Sequence, residues 1–480
     1  MSDRSIYFVS LGCPKNRVDS EVMLGVAQRS GLTHSLRPES ADVIVVNTCG
    51  FIESAKDESI QTILELAEHK RTGNCEQLIV AGCLSQRHPE ELAEGMPEVD
   101  YFLGSSDMTK LGKILTQGGD RIQVGNPADW VMGAADPRVV STIGASAYVK
   151  IAEGCNRRCS FCVIPQLRGG QRSRSVEDVV SEVTRLAQSG VKEINLVSQD
   201  TVSYGKDLRT RSEAGKWEGP DLARLVHAVA EVPGIQWVRL FYLYPEQLSN
   251  DIVELIASHP SVVPYIDMPL QHAADSMLRR MRRGHGGQRL REFVEHVRQC
   301  LPGVVFRTAF IVGHPEESEA EFEELCEFVR WARFDHVGVF RYSDESTCHS
   351  HTLGGKVPDG VAAERAETLM ALQQTISREN NEARVGSKVE VLVEGPSEES
   401  EWVMQGRWHG QAPDIDGNVY VSGGPVYAGR IYSGTVASAT DFELEVDVGE
   451  LEDCPPTTAG NSPVLQHRDS DGRVTLRTVS

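Results

Sequence analysis

Apolar residues in the first hundred positions fall into short runs separated by longer amphipathic stretches. The runs are 6–11 (IYFVSL), 42–46 (DVIVV), 77–81 (QLIVA) and VDYFLG, which ends at Gly104. Between them, RVDSEVMLGVAQRSG and SAKDESIQTILELAEH repeat their apolar positions at helical spacing. Short apolar runs read as buried strands, and strands alternating with helices predict a parallel sheet. An N-terminal parallel α/β domain is therefore expected over residues 4–117.

Residues 118–140 are rich in Gly, Pro, Ala and Asp and read as a linker. A second α/β series follows. Its candidate strands are 147–154, 193–199, 237–244, 262–270, 304–313 and 336–343. One intervening helix has Ser175 as N-cap, Asp178 three residues on, and Gly190 as its stop. Another is SEAEFEELCEFVRWA. Six strand–helix units over residues 141–380 fit an open or partial parallel barrel. After the charged helix ERAETLMALQQTISRENNEAR, short strands with Gly turns predict a small all-β barrel over 384–450. The polar end, 451–480, reads as a disordered tail.

Length and charge narrow the function classes. A chain of 480 residues holds two to four domains. No apolar run approaches the length that spans a bilayer, and MSDRSIYFVSLG lacks the pattern of a signal peptide. The expectation is a cytoplasmic protein that engages no membrane, with reduced thiols, so that spaced cysteines point to metal or catalysis. A formal net charge of -21 argues against broad nucleic-acid binding and suits a basic partner.

The stretch EGCNRRCSFCVIP carries Cys155, Cys159 and Cys162 in C-x3-C-x2-C spacing on a polar turn. Arg157 and Arg158 beside them are expected to favour thiolate. A closed zinc site needs a fourth ligand, and none is local. A cubane iron-sulfur cluster with three cysteines keeps one iron open to a small molecule. With Phe161 just before the last cysteine, the segment resembles the radical S-adenosylmethionine superfamily. That resemblance implies S-adenosylmethionine at the open iron, cleaved by one electron to a 5'-deoxyadenosyl radical.

Cys13, Cys49 and Cys83 are separated by 36 and 34 residues, and each follows a predicted strand (IYFVSLGC, DVIVVNTC, QLIVAGC). The carboxyl ends of parallel strands share one edge, where ligands bind, so the three can converge on a second cluster. The plain alternative is three buried core cysteines. Cys300 and Cys326 fall in helical stretches and read as core, while Cys75, Cys348 and Cys454 have no evident partner.

Taken together, the N-terminal trio, the C-x3-C-x2-C core and the small β domain resemble the methylthiotransferase family, over about residues 4–450. The resemblance implies two 4Fe-4S clusters, with the auxiliary one on Cys13, Cys49 and Cys83, and a TRAM-like C-terminal barrel. S-adenosylmethionine is then both methyl donor and radical source. It also implies a flavodoxin- or ferredoxin-like electron donor and a sulfur source. VSLGCPKNRVDSE, RGGQRSRS, LVSQDTVSYG, DMPLQHAADSMLRRMRRGH and QAPDIDGNVYV are similar to the branch that modifies a ribosomal protein. That branch adds a methylthio group to the β-carbon of an aspartate in small-subunit protein uS12. The competing branch modifies a transfer-RNA adenosine, and a non-catalytic metal-binding module is the reading from another class.

Charge bears on the choice. Residues 384–450 hold four Lys and Arg against twelve Asp and Glu, a net of -8, which suits a basic protein better than RNA. Gln199 and Asp200 follow a barrel strand and either touch S-adenosylmethionine or cap the next helix. Arg168, Arg172 and Arg174 either grip a carboxylate or form a solvated basic loop, and Arg174, with Phe161, is expected near S-adenosylmethionine. Arg279, Arg280, Arg282 and Arg283 read as an exposed helix face, and His272 as structural. Two segments depart from the family: VGHPEES, with His314 and Glu316, and YSDESTCHSHT, around 345–352.

Overall fold

The computed structural model describes residues 4–142, 144–211, 217–397, 400, 402–450, 466–468 and 474–476. The first sheet is parallel through β1 (Ser5–Ser10), β2 (Val43–Thr48), β3 (Gln77–Gly82), β4 (Tyr101–Leu103) and β5 (Ile122–Gln123), in that order. Strands β2 and β3 are buried throughout or nearly so, as expected when helices cover both faces. The linker begins as β5, so the sheet runs past residue 117. The tail departs further from expectation. Gln466–Arg468 and Val474–Leu476 form an antiparallel pair that joins β1 at Val9 and Ser10, while Thr33–His34 pairs with β1 at Ser5 and Ile6. The remainder of 451–480 lies outside the described residues.

The second sheet runs β6 (Ser146–Lys150), β7 (Glu193–Val197), β8 (Trp237–Leu240), β9 (Val262–Asp267), β10 (Val305–Val312) and β11 (His336–Arg341), all parallel. Strand order follows chain order with β6 and β11 unjoined, which is the partial barrel expected. One face packs on helices through residues such as Val149, Ile194, Leu240 and Phe310. The other face presents Tyr148, Phe241 and Tyr265 to a different core.

That other core joins all parts of the molecule. It combines Phe8 and Val22 of the first unit with Tyr148 and Tyr265 of the barrel, and with Val391, Trp408 and Leu444. The last three belong to a closed five-stranded barrel of β12 (Lys388–Pro396), β13 (Met404–Trp408), β14 (Val419–Ser422), β15 (Ile431–Ala439) and β16 (Leu444–Asp447). Its 409–416 loop reaches into the open barrel. Tyr148 donates to the Pro413 carbonyl at 3.0 Å, Tyr265 to Asp416 at 2.5 Å, and Arg239 to the His409 carbonyl at 2.8 Å. Arg407 crosses the same interface to Glu193 at 2.5 Å, with Glu394 at 2.7 Å on its other side. Three of the domain's twelve acids, Glu394, Asp414 and Asp416, are thus spent on internal ion pairs with Arg407, Arg17 and Arg307.

Helix α1 (Pro14–Arg29) explains how the first sheet docks. It is buried along most of its length, including its charged residues. Asp19 meets Lys150 at 2.6 Å and Arg168 at 2.6 Å, while Glu21 takes Arg138 at 2.6 Å. Buried charges need partners; Asp19 finds its own on the barrel, Glu21 on the linker at Arg138, and Arg17 on the small domain at Asp414. No helix among the described residues is long and apolar enough to cross a membrane.

Candidate functional site

Cys49 and Cys83 directly follow β2 and β3, and Cys13 comes three residues after β1, so all three lie at the carboxyl edge of the first sheet. Gly12 holds φ at +88°, and a Cβ there would lie 2.9 Å from Cys49 Cβ and 3.1 Å from its Sγ, so only glycine lets the two segments close. Burial pushes the Cys49 thiol up to about 12, with Cys83 and Cys13 adding to it. Burial also raises Cys83, against the pull of Arg168. Thiols that share one another's field in a dry site resist ionising together unless a cation collects them.

Cys155, Cys159 and Cys162 form the loop after β6. This loop is anchored by a short antiparallel pair, Ala152–Glu153 with Arg172–Ser173. Gly154 is at φ +83°, and a Cβ there would strike the Gly170 carbonyl at 2.2 Å. The loop walls a cavity of about 320 Å³ lined by Cys155, Asn156, Arg158, Cys159, Cys162 and Gly170. Burial raises the Cys155 thiol to about 11, opposed by the Arg157 amide 3.4 Å from its sulfur, and burial raises Cys162 further. The expected thiolate-favouring effect of Arg157 is therefore outweighed. Its guanidinium is taken by Asp200 at 2.7 Å and Glu246 at 2.6 Å.

Each trio carries one arginine at sulfur. Arg168 Nη2 is 3.4 Å from Cys83 Sγ, and Arg283 Nη1 is 3.5 Å from Cys159 Sγ. Arg283 thus leaves the exposed face expected of its run. It is buried and also donates to the Pro269 carbonyl, while Arg279 and Arg282 are exposed and Arg280 pairs with Glu316 and Glu321. Among the described residues, no three His, Cys, Asp or Glu are grouped to hold a single metal ion. In a cubane each thiolate bonds its own iron, which sets ligand sulfurs wider than around one ion. Two sets of three thiols, each met by a cationic donor, fit such a group.

The other sequence candidates divide. Gln199 donates to Glu153 at 2.6 Å, and its buried Oε1, like that of Gln171, has no partner. Asp200 accepts from Arg157 and from Ser203, not from a helix amide. Phe161 packs against Ala274, Met277 and Met281 together with Ile311. Arg174 is not brought to the cavity: it is buried between Asp178 and Glu182, each at 2.6 Å, and donates to the Lys150 carbonyl. Arg172 binds backbone carbonyls at Gly170 and Pro127. His272 is buried against Glu317 at 3.1 Å.

Sequence reasoning missed Lys15 and Tyr242, which link the first trio to the barrel end: Lys15 Nζ stands 3.3 Å from the Tyr242 ring centre. It also missed Tyr244, whose ring lies under Arg157 at 3.4 Å and Arg283 at 4.3 Å. Of the remaining cysteines, Cys326 is buried as expected, but Cys300 is exposed at its helix end. Cys75 and Cys348 are also buried, and Cys348 shares an apolar cluster with Cys83, Val163 and Leu167. Cys454 lies outside the described residues.

The two unusual segments turn out to be partners. His314 Nε2 meets Ser350 Oγ at 2.8 Å, and Ser350 Oγ donates to Ser160 Oγ at 2.8 Å, inside the cysteine loop. Glu345 of the same segment takes Arg87 at 2.7 Å and Lys56 at 3.2 Å, both from the first α/β unit. Residues 343–352 therefore tie the two cysteine-bearing units together.

Comparison with known proteins gives a consistent picture. Residues 5–104 match the uncharacterized protein family UPF0004, 149–329 the radical SAM superfamily, and 385–448 the TRAM domain. The chain is 62% identical over 453 residues to the ribosomal protein uS12 methylthiotransferase RimO of Sorangium cellulosum, covering 94% of this chain and 92% of that one. It is 46% identical over 450 residues to the protein of the same name from Myxococcus xanthus, covering 94% and 93%. Among solved structures, the radical S-adenosylmethionine methyltransferase TsrM of Kitasatospora setae aligns with a TM-score of 0.49 and 15% identity. That alignment covers 71% of this chain and 75% of the other.

Proposed function

Because this chain belongs to the RimO family of radical S-adenosylmethionine methylthiotransferases, we propose that it adds a methylthio group to the β-carbon of an aspartate in ribosomal protein uS12, with two iron-sulfur centres facing one substrate. Cys155, Cys159 and Cys162 would hold the centre that works with S-adenosylmethionine, and Cys13, Cys49 and Cys83 the auxiliary one. When bound, the first group would supply one electron to S-adenosylmethionine, the source of a radical able to remove an unactivated hydrogen, and the second would supply a metal site for sulfur.

The observation that carries this reading is the pair of arginine-to-sulfur contacts, Arg168 to Cys83 and Arg283 to Cys159. Two trios, each with a cationic donor at one sulfur, are more than a set of core cysteines requires. The chain's own residues do the rest of the work. Asp200 and Glu246 hold Arg157 and so fix the loop that carries Cys155. Glu153 receives Gln199 and places it beside that loop, where the free acceptors of Gln199 and Gln171 suit a ligand rich in donors, as the amino and hydroxyl groups of S-adenosylmethionine are. The shared apolar core around Tyr148 and Tyr265 keeps water from the far side of the barrel.

Charge supports a protein substrate. Glu390, Glu445, Asp447 and Glu450 remain exposed on the small barrel after its internal pairs are made. Such a face repels phosphate and attracts a basic ribosomal protein. An electron donor and a sulfur source complete the reaction.

The test is an anaerobic incubation of the reconstituted, reduced protein and S-adenosylmethionine with uS12 and, separately, with transfer RNA. A methylthio mass gain on an aspartate of uS12 is expected. Gain on RNA alone would refute the assignment.

A further inference from the structure

We propose that Arg168 is a positioning residue that sets the reduction potential of the auxiliary centre, through a cationic hydrogen bond to the Cys83 sulfur. The inference rests on the two-centre reading and adds to it.

Arg168 ends the short helix α2 (Ile164–Arg168), which begins two residues after Cys162. Its guanidinium is almost wholly buried, at 2% exposure. Nη1 meets Asp19 at 2.6 Å and Glu153 at 3.5 Å. Nη2 meets Asn16 Oδ1 at 3.2 Å and Cys83 Sγ at 3.4 Å. The side chain thus leaves from the loop of one trio and ends on a sulfur of the other.

A plain salt bridge would account for part of this. Asp19 already has Lys150 at 2.6 Å, and Glu153 pairs with the same lysine, so the two carboxylates and two cations balance without any sulfur. The bond to Asp19 uses Nη1 alone. The fork is nevertheless turned so that Nη2 reaches Cys83. The planar guanidinium suits this task, because it can serve two acceptors in fixed directions and does not lose its proton.

The consequence is electrostatic. Hydrogen bonds to cluster sulfurs and net local charge are the protein's levers on potential. A buried cation at a ligand sulfur favours the more negative, reduced form, and the low local dielectric enlarges the effect. Arg168 therefore raises the potential of the auxiliary centre.

The test uses the full chain with Cys155, Cys159 and Cys162 changed to alanine, loaded anaerobically with iron and sulfide, so that only the first trio is filled. The midpoint potential is followed by electron paramagnetic resonance, with and without Arg168→Met. A fall in potential at unchanged iron content is expected, with Arg168→Lys intermediate, because it keeps the charge and loses the fork. An unchanged potential in Arg168→Met would overturn the proposal. If Arg168→Met does not load, Asp19→Asn leaves the arginine in place and removes the carboxylate opposing it. The potential should then rise, and no change would equally overturn the proposal. A parent variant that binds no iron would sink the two-centre reading, and this inference with it, before Arg168 is altered.

Discussion

Tyr242 and Tyr244, two residues apart beyond β8, each lie under a cation from a different cysteine-bearing segment. Lys15, two residues after Cys13, covers Tyr242 at 3.3 Å, and Arg157, between Cys155 and Cys159, covers Tyr244 at 3.4 Å. One strand end therefore indexes both trios against the barrel. A buried cation over an aromatic face contributes about 2 kcal/mol. Tyr244→Leu removes the ring beneath Arg157 and Arg283 together, while Asp200, Glu246 and the Pro269 carbonyl still hold the two guanidiniums. Cleavage of S-adenosylmethionine should fall about tenfold or more, with iron at the first trio retained. Equal loss of iron from both trios would contradict this division.

Glu345 is the acid that clamps the first α/β unit to the barrel. It is 3% exposed and faces both Arg87 and Lys56. Removing one member of a buried ion pair costs about 3 kcal/mol or more. Glu345→Gln should lower the urea midpoint and raise amide exchange in the 343–352 segment. A midpoint within error of the parent would show that the clamp carries no load.

Arg407 joins the small barrel to the large one. In Arg407→Met, Glu193 keeps Arg239 at 3.0 Å, but Glu394 loses its ion-pair partner. Burial already raises the Glu394 carboxyl against the pull of Arg407, so the variant should protonate it or open the interface. Hydrogen exchange should rise in β12 and β13 while β2 and β3 stay protected. Uniform protection would refute the interface as the weak point.

His314 supplies a pH dependence. Burial lowers it to about 4 from an ordinary value near 6.5. The folded state thus favours neutral imidazole. Stability from this group is complete above about 6.5 and is lost as pH falls towards 4, by about 3 kcal/mol in all. His314→Gln, which can still donate to Ser350, should flatten the stability profile between those limits. An unchanged slope would assign the loss to other groups.

Much of the molecule was legible because its chemistry is local. Strand ends followed by cysteine, such as IYFVSLGC, announce the element and bring the thiol to its carboxyl edge, and C-x3-C-x2-C marks out a single loop. What stayed hidden is pairing across long separations. Arg283 looks like one of four arginines on a solvated helix, and only the fold brings it 124 residues back to Cys159. His314 and Ser350 each look anomalous alone and become intelligible as a bonded pair. Arg174 shows the reverse failure: its position in RGGQRSRS suggested a ligand, but Asp178 and Glu182, four and eight residues on, had already claimed it. Acidic residues of the small barrel likewise gave the right net sign while three of them served interior ion pairs.

The central claim is a division of labour between the two trios. It is tested by measuring 5'-deoxyadenosine release and methylthio transfer to uS12 on the same samples of Cys159→Ala and Cys49→Ala. Cys159→Ala should abolish both. Cys49→Ala should keep the release and lose the transfer; methylthiolated uS12 from Cys49→Ala would contradict the account.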